Sequence, residues 1–169
     1  MIAERIPMSR TFNAIEVFEI AEQIERNGEV FYRRAAERFR DSEAGGIFAK
    51  LADWEVKHEA AFAALRKQLA KEPEKLLRFD PEDLPVDAKA MAGLSAFGIN
   101  ADATDELAGC KTQVDALKIA LQKEKDTIVF YTGLKEFVPV AVAVSEIGDI
   151  IVEELRHVRT MIEALERCE

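Results

Sequence analysis

Apolar residues recur at steps of three and four through four long stretches of this chain, and no stretch alternates convincingly between apolar and polar positions. The first stretch predicts a helix from about Asn13 to Phe39, with Asn13 and Glu16 placed as a capping box. A break at Asp41-Ser42, with Gly45-Gly46 close by, precedes a second helix over about 43–70. Pro73, Pro81 and Pro85 then punctuate a polar connection over about 71–109, within which Asp87 to Phe97 is a candidate short helix. The third long helix covers about Cys110 to Phe137. Pro139 suits the first turn of a fourth, running over about 139–167, because the N–H that proline lacks has no partner there anyway.

Four long helices and no strand predict an all-α fold, an antiparallel four-helix bundle forming a single domain over 1–169. The first two helices are joined tightly, as are the last two. The connection between the second and third is far longer than bundle loops usually are. A helix of about 27 residues spans roughly 40 Å, a length this connection can retrace. It is read as a crossover that places the third helix parallel to the second. Exchange of a hairpin with a second subunit is the alternative.

The core stripes are interrupted by charge. On the second helix the stripe runs Phe48, Leu51, Glu55, His58, Phe62, Leu65, Leu69, and on the fourth Ile147, Ile150, Glu154, His157, Met161. The first helix gives Ala21, Glu25, Gly28, Tyr32, Ala35, Phe39, and the third gives Ala120, Glu124, Thr127, Tyr131, Leu134. These positions form a repeat. Glu25, Tyr32, Glu55 and His58 each recur 99 residues later as Glu124, Tyr131, Glu154 and His157, and the two motifs use both histidines and both tyrosines of the chain.

Each helix thus directs an acid inward at about mid-length. An unpaired buried carboxylate costs several kcal/mol, and four together also repel one another. Two divalent cations offset four negative charges and accept neutral imidazoles as further ligands. The i, i+3 spacing of Glu-x-x-His brings both side chains to one centre. The expected metal ligands are therefore Glu25, Glu55, His58, Glu124, Glu154 and His157. Glu153 competes with Glu154, but stripe phase and repeat both select Glu154. Tyr32 and Tyr131 are expected either as core residues needing an acceptor or as donors to a ligand carboxylate or redox-active phenols beside the metals. Trp54, off the stripe centre, is expected to pack.

A formal charge of −9 argues against nucleic acid or an anionic membrane as the main partner and suits a cytoplasmic protein that attracts cations. The apolar run from Phe137 to Val144 is too short to span a bilayer. Cys110 and Cys168 are distant from each other, which disfavours a disulfide framework or a thiolate-held metal.

Glutamates on the first and third helices with Glu-x-x-His on the second and fourth are the ferritin-like di-iron carboxylate pattern. The segments from Ile24 to Tyr32 and from Glu124 to Tyr131 resemble the rubrerythrin branch of that superfamily. The resemblance covers both hairpins but not residues 72–109. It implies that Glu55 and Glu154 bridge two iron ions (manganese or zinc can take the same ligands), that Glu25 and Glu124 chelate one each, and that His58 and His157 complete one each.

The implied activity is an oxidoreductase reaction with hydrogen peroxide or dioxygen in a homodimer. Rubrerythrins usually carry a four-cysteine iron domain that delivers electrons; its absence here implies a separate electron-donor protein. They also usually have a glutamate where Thr127 stands, which bears on peroxidase chemistry. Bacterioferritins resemble the six-ligand set but place a haem-ligating methionine where Val56 stands, so no haem is expected. A ferroxidase for iron storage or delivery is the alternative function, and a metal-stabilised interaction module without turnover is the third.

Overall fold

The first long helix, α1 (Ala14–Arg38), and the second, α2 (Glu43–Leu69), are separated by a turn that sequence chemistry explains. The protein is seen here as a computed structural model that describes residues 14–71, 103–136, 138 and 141–168. Ser42, extended at φ −124° and ψ 164°, caps α2. Its hydroxyl donates to the Phe39 carbonyl at 2.7 Å and accepts the Gly45 N–H at 3.4 Å, which stops α1 and starts α2 within a few residues. A Cβ at Gly45 would lie 2.3 Å from the Phe39 carbonyl oxygen, so the turn closes only over glycine, whereas Gly46 faces open space.

Three further helices follow: α3 (Ala103–Ala108), α4 (Gln113–Glu136) and α5 (Ala141–Glu166). Two details differ from the sequence expectation. The last part of the long connection is helical, as α3, and rests against α1. The third long helix begins at Gln113 rather than at Cys110. The Asp115 carboxylate accepts the N–H groups of Lys111 and Thr112 at 3.0 and 2.8 Å, and the Thr112 hydroxyl accepts the Asp115 N–H at 3.2 Å. That reciprocal cap holds the preceding residues out of the helix. The expected Asn13–Glu16 cap, the candidate helix at 87–97 and the Pro139 position lie outside the described residues.

Contacts along the helices fix their directions. Phe18 packs on Phe62 with ring centroids 6.2 Å apart, and Phe39 on Phe48 at 6.4 Å, so α1 and α2 are antiparallel. Arg38 donates to the Cys110 carbonyl at one end of α1 while Tyr131 donates to Glu25 further back, so α1 and α4 are also antiparallel. The α4–α5 pair is antiparallel as well, with Gln113 meeting Cys168 and Glu124 facing His157. Helix α4 therefore runs parallel to α2, as a crossover connection requires.

The core follows the stripes. Phe18, Phe48, Phe62, Leu117, Leu134, Ile147 and Met161 are fully enclosed, each such side chain contributing about 1.5–3 kcal/mol through burial. Tyr32 stacks on Phe48 at 6.1 Å, and Phe62 meets Tyr131 at 4.9 Å. These aromatics floor and roof the polar layer at mid-bundle. Among the described residues there is no strand, and no helix is long and apolar enough to cross a membrane.

Candidate metal centre

The polar layer contains the six expected ligands, all from one chain. Glu25, Glu124 and Glu154 are fully buried and Glu55 is 3 % exposed, with His58 and His157 nearly as enclosed. Their ligand atoms form two overlapping groups: Glu25, Glu55, His58 and Glu154 in one, and Glu55, Glu124, Glu154 and His157 in the other. Within each group these atoms lie within 4.8 Å of one another, and Glu55 and Glu154 belong to both. Each half of the repeat therefore supplies one shared carboxylate and the private pair of one group.

Both imidazoles turn Nδ1 inward. His58 Nδ1 lies 2.9 Å from Glu154 and 3.5 Å from Glu25; His157 Nδ1 lies 2.9 Å from Glu154 and 3.6 Å from Glu124. The close approach of His58 Nδ1 to Glu154 is not aligned as a hydrogen bond, and His58 Nδ1, Glu154 Oε1, Glu25 Oε2, Glu55 Oε1 and Glu124 Oε2 are all buried with no hydrogen-bond partner among the described residues. Native interiors rarely leave so many polar atoms unsatisfied. Neighbouring ligands about 2.0–2.2 Å from a common metal sit about 3 Å apart without bonding to each other. The orphaned atoms, converging from four helices, have that relation. The donor set fits two divalent cations.

Without metal, protons do part of the same work. Burial opposes a charge on His58, but contacts with Glu154 and Glu25 outweigh it and push the imidazole up to about 11. His157, against the same burial, is pushed up to about 9 by Glu124 and Glu154. Burial and then the neighbouring carboxylates hold Glu55 and Glu124 well above the ordinary carboxylate range. Glu154 goes the other way: against its burial, the hydrogen bond with His157 and the close charged imidazole of His58 keep it ionised. Metals would displace these protons, as ligands must be deprotonated to bind.

The tyrosines cross between the halves. Tyr32 on α1 donates to Glu124 on α4 at 2.5 Å, and Tyr131 on α4 donates to Glu25 on α1. Burial, followed by these carboxylates, raises both phenols, so they stay protonated and serve as donors. Each tyrosine thus braces the private glutamate of the opposite half.

Three contacts have partners that the sequence does not identify, the packing expected of Trp54 among them. Glu153, set aside as a ligand, places Oε2 2.9 Å from His58 Nε2, on the side of the ring away from the cluster. Gly28 lies against Glu55, where a Cβ would be 2.9 Å from Oε2. Trp54 covers both imidazoles, its ring 6.3 Å from that of His58 and 6.0 Å from that of His157. The stripe placed Gly28 inward, yet only coordinates show what it touches. Thr127, one turn past Glu124, is buried with a hydroxyl that has no hydrogen-bond partner among the described residues.

No family model matches the chain, and comparison with curated proteins gives no match. A solved structure from Thermotoga maritima, described as a candidate ferritin-like diiron-carboxylate protein, superposes with a TM-score of 0.72 at 24 % identity. The match covers 95 % of this chain and 99 % of that one. The chain has the ferritin-like fold.

Proposed function

We propose that this chain is a rubrerythrin-like non-haem di-iron protein, an oxidoreductase that reacts with hydrogen peroxide or dioxygen. One observation carries the reading: two groups of buried ligand atoms share Glu55 and Glu154 and complete themselves with one glutamate and one histidine each. The diiron-carboxylate description of the Thermotoga structure supports the choice of metal. Mixed imidazole and carboxylate ligands also suit manganese, and zinc can occupy them. Glu55 and Glu154 would bridge; Glu25 with His58 and Glu124 with His157 would hold one ion each.

Two ferrous ions held by these residues would supply the two electrons that, with two protons, reduce one peroxide to two waters. The protein's part is to position and to handle protons. Tyr32 and Tyr131 fix the outer glutamates through their hydroxyls. The aromatic layers of Phe48, Phe62 and the tyrosines keep bulk water from the centre. Re-reduction would come from a separate electron-donor protein, and a homodimer is the proposed assembly.

Anaerobic loading with Fe(II), followed by titration with hydrogen peroxide, tests the reading. Two irons per chain, both oxidised by one equivalent of peroxide, are expected. Irons that remain ferrous under excess peroxide would refute the oxidoreductase reading and leave metal binding intact. Release of the oxidised iron into a mineral core would favour the ferroxidase alternative.

A further inference from the structure

The two halves repeat at 99 residues, so departures from the repeat around the cluster mark where the two metal positions differ. One departure touches both histidines. Residue 153, just before the shared Glu154, is glutamate; its counterpart, just before the shared Glu55, is Trp54. Each of these residues reaches across to the histidine of the other half. Glu153 on α5 meets His58 on α2 at 2.9 Å, and Trp54 on α2 lies over His157 on α5 at 6.0 Å.

The chemistry of the two contacts is unlike. A carboxylate accepts the Nε2–H of His58, which orients the ring with Nδ1 toward Glu154 and Glu25 and leaves Nδ1 as the nitrogen that gives up its proton to a metal. It also makes that imidazole a stronger ligand. An indole has a donor N–H and no acceptor, so Trp54 can pack on His157 but cannot orient its ring in this way. Both glutamates private to the two groups are braced alike by a tyrosine, so this difference is not offset there.

We infer that the two metal positions are inequivalent, with Glu153 as the positioning residue that makes the His58 position tighter, so that the His157 position fills second and empties first. The inference rests on the di-metal reading above. It makes the His157 side the exchangeable one, which matters for any protein that must load its centre one ion at a time.

Calorimetric titration of the metal-free protein with Co(II), followed in parallel by the cobalt absorption bands, tests it. The wild type is expected to bind two ions in two resolved steps. Glu153→Ala should weaken the tighter step by about 10–100-fold, the usual effect of losing such a partner, with Glu153→Gln, which keeps an acceptor, losing less. In a His157→Ala background the Glu153→Ala loss should persist; in a His58→Ala background it should vanish, because the two changes act through one ring. Two ions bound with no change in Glu153→Ala, or with both steps weakened equally, would overturn the inference and leave the di-metal reading standing. A wild type that takes up fewer than two ions would overturn both.

Discussion

Glycine in the middle of a helix costs about 0.5–1 kcal/mol relative to alanine, and Gly28 stands midway along α1 facing the cluster. A Cβ there would lie 2.9 Å from Glu55 Oε2, 3.0 Å from Cδ and 3.4 Å from Cγ. Non-bonded heavy atoms settle at about 3.5–4.0 Å, so in Gly28→Ala the carboxylate must retreat by about 0.5 Å or more. It ends a flexible side chain, and in the metal-free protein the retreat is cheap. Metal-free Gly28→Ala should therefore be as stable as wild type or up to about 1 kcal/mol more stable through helix propensity, a rise of about 1–4 °C in Tm for a chain of this size. Metal binding should move the opposite way. Functional constellations tolerate errors of about 0.5 Å, and Glu55 belongs to both ligand groups, so both affinities should fall by about 10-fold or more. Thermal unfolding with chelator, paired with Co(II) titration, measures the two effects on one sample. Wild-type affinity for both ions in Gly28→Ala would refute the claim that glycine is there for Glu55. A metal-free loss well above 1 kcal/mol would show that the methyl meets something less yielding than a carboxylate.

Removing Glu55 or Glu154 by substitution with alanine should abolish tight binding of both ions, whereas His58→Ala should affect mainly one; metal analysis showing two ions retained in Glu55→Ala would contradict the bridging assignment. Glu55→Gln should lose metal yet stabilise the metal-free protein by about 0.5–2 kcal/mol, since a functional site often carries strain that its removal relieves, and here the strain is burial plus carboxylate repulsion. Tyr32→Phe should weaken chiefly the position that includes Glu124, and Tyr131→Phe the one that includes Glu25; each deletes one charge-assisted hydrogen bond of about 1.5–3 kcal/mol, and the site affected can be read by repeating the titration in His58→Ala and His157→Ala backgrounds. Stability of the metal-free protein should fall from about pH 6.5 to 9.5. The contributions of His157 and His58 are full below the unfolded histidine value of about 6.5 and are lost as pH rises through about 9 and then about 11. Raised Glu55 and Glu124 also favour the protonated, lower-pH state, while depressed Glu154 withdraws stability only as pH falls below the unfolded carboxylate range. The metal-dependent rise in Tm should grow over the same interval as protons leave the ligands. A metal-free Tm that climbs toward pH 9.5 would show that the protonated cluster is not what holds the empty centre together.

Periodicity made the bundle and its inward acids legible because a buried charge on a helical stripe has few physical excuses. The repeat did more, since two copies of one spacing tie Glu25 to Glu124 and His58 to His157 before any contact is known. What could not be read was anything that depends on which side of a ring or carboxylate a neighbour occupies. Glu153 and Glu154 are adjacent and chemically alike; phase assigns the second to the cluster, but only coordinates put the first on the outer nitrogen of His58. Nor does a stripe reveal that the glycine on it is a space kept for a carboxylate, or that Thr112 and Asp115 close a cap which shortens α4. The same limit applies to the symmetry itself. Matching residues imply equal halves, and it is the mismatched pairs, Gly28 with Thr127 and Trp54 with Glu153, that separate them. The candidate ligands stand out by charge and so are visible in the sequence pattern. On the di-metal reading, any difference between the two positions must come from the residues that touch the candidate ligands from outside, where the repeat is broken.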